Sequence, residues 1–126
     1  MKNLVIEPSL KTPTINFDAS KGRLEISGRS IPENSVEFYR PVVEWIGDYN
    51  NAPASNTEFI FKLEYFNTSS SKCILDIFRK LEGVISEGFD VKIKWFFDQD
   101  DEDMRESGED FREIIKIPFE LIEIRE

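Results

Sequence analysis

Apolar and polar residues alternate with a period of two over Thr14–Phe17, Arg23–Ser27, Thr57–Phe66 and Asp90–Phe97, and a helical period fills the gaps between them. Phe59, Phe61, Leu63 and Tyr65 share one face of the third run, and Val91, Ile93, Trp95 and Phe97 share one face of the fourth. Lys62, Glu64, Lys92 and Lys94 fall on the opposite faces, as in strands buried on one side only. Leu4–Ile6 and Phe119–Ile124 read as shorter strands at the two ends. Asp18–Gly22 is turn chemistry, so Thr14–Phe17 and Arg23–Ser27 predict an N-terminal hairpin. Gly28 to Pro32 breaks the pattern after Ser27.

Three helices are expected. Asn34 with Glu37 forms a capping box that opens the first, which runs to about Asn50. Its core stripe is Val36, Tyr39, Val43 and Ile46, widened by Val42 and Tyr49, and Pro41 is expected to kink it or fix its first turns. The second, from about Ser69 to Glu87, turns Ile74, Ile77, Phe78, Leu81 and Ile85 inward and ends at Gly88. The third covers Asp101–Ile115 and is weakened by Gly108.

Helices alternating with strands specify an α/β protein with parallel pairing through right-handed crossovers. A sheet covered on both sides would show continuous apolar runs instead of alternation. The expectation is therefore a mixed sheet of about five to six strands, with an N-terminal hairpin and three helices mainly on one face. A length of 126 residues suits a single domain over 1–126.

Composition removes several function classes. A net charge of −9 disfavours nucleic acid and anionic membrane surfaces, where Lys and Arg supply the affinity. No run of about 18 apolar residues spans a membrane, and the N-terminus does not read as a signal peptide, so a cytoplasmic location is expected. Histidine is absent, which removes the commonest general base and metal ligand. The single cysteine, Cys73, allows neither an intrachain disulfide nor a Cys-based zinc site, and its place inside a helix suits packing. No cofactor is implied.

Parallel strands gather their C-terminal ends on one edge, the usual ligand side of an α/β sheet. Three loops are expected to meet there: Gly28-Arg29-Ser30, Asn67-Thr68-Ser69-Ser70-Ser71, and the acidic run Asp98 to Asp103 with Asp98, Asp100 and Asp101. The hydroxyl row sits where a strand becomes a helix, whose first amides lack internal partners. It reads as an ordinary cap or as a phosphorylation switch. The acidic run either stabilises a helix start through its dipole or holds Mg²⁺ through oxygen ligands. Arg29 is either a surface charge or a partner for the acidic loop or a phosphate, and Lys72 is also available to an anion.

Three separated segments carry a resemblance: L-E-I-S-G-R-S-I-P-E-N, L-E-Y-F-N-T-S-S-S-K and D-Q-D-D-E-D-M-R-E-S-G-E-D-F. In this order, within a match from about Thr12 to Ile122, they resemble the SiaC family of bacterial regulatory phosphoproteins, whose fold is similar to that of STAS domains. The resemblance implies an adaptor without catalysis of its own, phosphorylated on Thr68. It implies a cognate Ser/Thr kinase of histidine-kinase-like fold and an opposing PP2C-type phosphatase. It also implies a downstream effector, in the best-known system a diguanylate cyclase that raises cyclic di-GMP and promotes biofilm formation. Arg29, Asn67, Ser69, Ser70, Ser71, Lys72, Asp98, Asp100 and Asp101 are the expected partner- or kinase-binding positions. The competing readings are a constitutive interaction domain and a metal-dependent enzyme built on the acidic carboxylates.

Overall fold

A computed structural model describes residues 1–125. Its elements are β1 (Leu4–Ile6), β2 (Thr14–Asp18), β3 (Arg23–Ser30), α1 (Ser35–Tyr49), β4 (Asn56–Phe66), α2 (Thr68–Ser86), β5 (Asp90–Asp98), α3 (Glu102–Ile114) and β6 (Phe119–Ile124). The strands lie in sequence order in one six-stranded sheet. β1, β2 and β3 pair antiparallel, and β3 to β6 pair in parallel.

This topology explains the exposed face. Three successive crossovers advance the sheet in the same direction, and each is right-handed by the usual rule. All three helices then land on the same side. The reverse face keeps the charges seen in the alternation, arranged as cross-strand pairs: Lys94 Nζ to Glu58 Oε1 at 3.3 Å and Lys92 Nζ to Glu120 Oε2 at 2.8 Å. Pairs this exposed add little stability. Their main effect is to keep a bare sheet face soluble.

The core lies between sheet and helices and is largely aromatic. Phe59 stacks on Phe61 with ring centroids 4.5 Å apart, Phe61 stacks on Trp95 at 5.4 Å, and Trp95 meets Phe111 of α3 at 5.5 Å. On the hairpin side, Phe17 packs on Trp45 of α1 at 5.1 Å. Contacts of this kind add roughly 0.5 to 1.5 kcal/mol each beyond the area they bury. Gly108 lets α3 press onto the sheet, because a Cβ there would lie 2.5 Å from Leu121 and 2.6 Å from Trp95. The indole of Trp95 donates to the Met104 carbonyl at 3.0 Å and fixes that approach.

Several expectations are corrected. β3 does not end at Ser27 but continues to Ser30, passing through Gly28 at φ 107°, a conformation suited to glycine. There the register with β4 shifts: Gly28 pairs with Leu63 but Arg29 pairs with Tyr65, leaving Glu64 as an inserted residue. Such a bulge exchanges the faces beyond it. Tyr65 is therefore 53% exposed, not in the core. Phe66 turns inward instead, onto Trp95 and Phe111. In α1 the buried stripe is Tyr39, Val42, Trp45, Ile46 and Tyr49, while Val36 is 65% exposed. The helix runs on through Pro41 as one element. Ile85 is only half-buried, and Val84 takes the interior position.

Candidate functional site

β3, β4 and β5 end at Ser30, Phe66 and Asp98 on the same edge of the sheet. The expected convergence is thus present, although Arg29 and Ser30 arrive on a strand, not in a loop. β4 and β5 stay in register only as far as Phe61↔Trp95. Beyond that point β4 pairs with β3, and β5 pairs with β6. The hydroxyl segment and the acidic segment therefore leave from neighbouring but separated strand ends.

Asn67 organises the first segment. Its amide donates to the Ser30 carbonyl at 3.0 Å, which ties the start of α2 to the end of β3. Its side-chain oxygen accepts from the Ser70 amide at 2.9 Å, and its carbonyl accepts from the Ser71 amide at 3.1 Å. Asn67 is the N-cap of α2, which leaves the Thr68 and Ser69 amides at the mouth of the helix. No acidic residue occupies the first turn of α2, so the positive end of its dipole lacks a resident counter-charge.

The four hydroxyls have separate fates. Ser70 is fully buried; its Oγ donates to the Ser30 carbonyl at 3.2 Å and lies 2.9 Å from Ser30 Oγ. Ser30 Oγ in turn meets the Tyr39 hydroxyl at 2.6 Å. Ser69 Oγ lies 2.7 Å from Ser35 Oγ and donates to Asn67 Oδ1 at 3.2 Å. Ser71 is half-buried in the first turn. Thr68 is exposed at the first helical position, and its hydroxyl takes part in no hydrogen bond among the described residues. Of the row, Thr68 alone is both open to solvent and unspent.

Ser70 therefore departs from the expected contact role. Its oxygen lies beneath the surface and joins β3 to α2. Burial pushes the Tyr39 phenol up to about 12, opposed in part by its bond to Ser30. That value keeps the cluster neutral and fully protonated at physiological pH. Ser30 was expected only as part of the first loop at this edge, and Ser35 and Tyr39 were not among the expected site residues. Their link to Ser69 and Ser70 spans up to 40 residues and leaves no periodic trace.

The acidic segment is built as a cap. Asp101 Oδ1 accepts from the Met104 amide at 3.0 Å, and Glu102 and Asp103 fill the first turn of α3. Asp98, Gln99, Asp100 and Asp101 line a cleft of about 430 Å³ with Ile124 at the end of β6, and no residue of Asn67–Lys72 joins that lining. Among the described residues, no three His, Cys, Asp or Glu side chains converge as a metal-binding group. Arg29 and Lys72 are exposed, and neither forms an ion pair among the described residues. The structure does not bring Arg29 onto the acidic loop.

Comparison with known proteins agrees with this arrangement. Residues 6–124 match the model of the SiaC family regulatory phosphoprotein. An uncharacterized protein of Pseudomonas aeruginosa strain UCBPP-PA14 is 36% identical over 121 residues, covering 96% of each chain. Among solved structures, SiaC of Pseudomonas aeruginosa superposes with a TM-score of 0.89 at 33% identity, over 98% of this chain and 100% of that one. A chain from the crystal structure of the diguanylate cyclase SiaD in complex with its activator SiaC, from the same organism, gives 0.88 at 35% identity, over 96% and 99%. With its six-stranded mixed sheet, three helices on one face and a hydroxyl row opening α2 behind the Asn67 cap, this chain belongs to the SiaC family of regulatory phosphoproteins.

Proposed function

We propose that this chain is a phosphorylation-switched adaptor. With Thr68 unmodified it binds an effector protein, a diguanylate cyclase by analogy with the SiaD–SiaC complex, and thereby raises cyclic di-GMP synthesis and biofilm formation. A cognate Ser/Thr kinase phosphorylates Thr68 and a PP2C-type phosphatase restores it. The chain itself is not an enzyme in this reading. Arg29, Asn67, Ser69, Ser71, Lys72, Asp98, Asp100 and Asp101 surround the switch or share its edge as contact positions.

The observation that carries this reading is the state of the Thr68 hydroxyl, exposed and unbonded at the mouth of α2 while Ser69 and Ser70 are engaged. A phosphate there adds about 1.5 to 2 negative charges and three acceptor oxygens at a helix N-terminus, where the free amides accommodate it. The domain therefore keeps its fold. A partner fitted to a neutral hydroxyl must instead desolvate a dianion, on an edge that already carries Asp98, Asp100 and Asp101. Typical regulatory coupling of about 1 to 3 kcal/mol is within reach of that penalty.

Thr68→Ala tests the assignment. It should abolish phosphate incorporation by the kinase while leaving the circular dichroism spectrum and partner binding intact. Incorporation that persists would move the switch to one of the serines. An unmodified intact mass for protein purified from its own cells, under every growth condition, would favour a constitutive interaction domain.

A further inference from the structure

We infer that Ser35 is a specificity-determining residue for phosphorylation: its hydroxyl ties the exposed Ser69 hydroxyl into a hydrogen bond that the kinase would have to break, so that Thr68 is the sole acceptor in the row. The inference rests on the phosphoacceptor reading above and adds the reason the modification goes to one hydroxyl of four.

Ser35 is the first residue of α1 and is 3% exposed. Serine at a helix start normally serves as a cap, but Asn34 already fills that role by accepting from the Glu37 amide at 3.1 Å. The Ser35 hydroxyl is therefore free for other work, and both of its partners lie on α2. Ser69 Oγ sits 2.7 Å away and Ser70 Oγ 3.3 Å away. Ser70 cannot swing aside, because Ser30 holds it through carbonyl and hydroxyl together, and Tyr39 holds Ser30. Ser69 is itself exposed, but its hydroxyl is bonded on both sides, to this set through Ser35 and to Asn67 Oδ1, which accepts a hydrogen bond from it.

Phosphoryl transfer from a nucleoside triphosphate forms an Oγ–P bond and breaks the bond from the γ-phosphorus to the departing nucleoside diphosphate. The hydroxyl proton passes to a base on the kinase. Ser69 must give up both hydrogen bonds to reach that geometry. Thr68, one residue earlier and unbonded, gives up none. Ser71 stays half-buried within the first turn, its amide bonded to the Asn67 carbonyl, and gains nothing from a change at Ser35.

The experiment uses the full chain, ATP and the purified Ser/Thr kinase of the same organism, with phosphosites located by tandem mass spectrometry. Wild type should be labelled on Thr68 alone, and Thr68→Ala should be essentially unlabelled. Adding Ser35→Ala to Thr68→Ala should direct label to Ser69 at roughly tenfold the rate of the single variant, the upper end of what one hydrogen bond contributes net. Ser35→Thr in the same background keeps a hydroxyl and should restore the unlabelled state, which a merely structural role would not require. Ser35→Ala alone, with Thr68 present, should still be labelled on Thr68 at the wild-type rate, as the control for folding. Wild type labelled on Thr68 together with an unlabelled Thr68→Ala/Ser35→Ala chain would overturn the role of Ser35 and leave the switch standing. Label arriving on Ser71 would also overturn it. A wild-type chain that takes no phosphate would overturn the switch and this inference together.

Discussion

The turns that open α2 and α3 stand on the same edge of the sheet and are closed in the same way, yet they offer opposite surfaces. Asn67 accepts from the amide three residues on at 2.9 Å, and Asp101 does so at 3.0 Å. The α3 turn adds Glu102 and Asp103, so its dipole is already matched by carboxylates. The α2 turn uses a neutral amide and hydroxyls and carries no acid. One helix start is electrostatically filled, and the other is open to the negative charge that the proposed switch would add.

The largest expected effect separates the buried and the open member of the hydroxyl row. Ser70→Asp places a carboxylate where no water reaches and should cost about 3 to 5 kcal/mol in urea denaturation, the range for an uncompensated buried charge. Thr68→Asp, two residues earlier, should leave stability unchanged or raise it by about 0.3 to 1 kcal/mol through the dipole. Equal destabilisation by both would erase the distinction between an exposed and a buried hydroxyl.

Alkaline pH should act on the neutral cluster and spare the acidic turn. The Tyr39 phenol titrates at about 12 when folded and near 10 when unfolded. The folded state thus holds a proton that the unfolded state has lost, and its contribution is complete below pH 10 and disappears as pH rises through 12. Roughly 2 to 3 kcal/mol should be lost across that window. Tyr39→Phe should flatten this part of the stability–pH curve, measured by denaturation at pH 8 and at intervals up to 12. A curve that keeps its slope in the variant would place the titrating group elsewhere.

Smaller shifts should follow from exchanging the caps. Asn67→Asp supplies the charge that α2 lacks and should stabilise by about 0.3 to 1 kcal/mol, whereas Asp101→Asn should cost only a few tenths because Glu102 and Asp103 remain. Thermal unfolding of both variants, in low and moderate salt, reads the difference. Only the Asn67→Asp gain should shrink markedly as salt screens the dipole.

The sequence shows the elements of this fold because period and capping are local properties. Leu4–Ile6, the hairpin around Asp18–Gly22, all three helices and the final strand lie within a few residues of their expected bounds. The solvated face was legible from Lys62, Lys92 and Lys94. The reversal of Tyr65 and Phe66 was not, because a bulge reads as unbroken alternation until the pairing partner is known. Gly28, which reads as a break after Ser27, instead marks the register shift within β3. At the site, the acidic cap and the hydroxyl row at the start of α2 follow from strand-to-helix chemistry, whereas the resemblance alone singled out Thr68 within that row. The burial of Ser70 and the recruitment of Ser30, Ser35 and Tyr39 arise from packing between β3, α1 and α2, which no window along the chain contains.

Partner affinity before and after modification bears most directly on the role of Thr68. The chain should be prepared in unphosphorylated form and in a form phosphorylated stoichiometrically on Thr68, and each titrated by calorimetry against the diguanylate cyclase of the same organism. The modified chain should bind at least about tenfold more weakly, within the usual range of regulatory coupling, with an unchanged circular dichroism spectrum. Equal affinity of the two forms would contradict the switch.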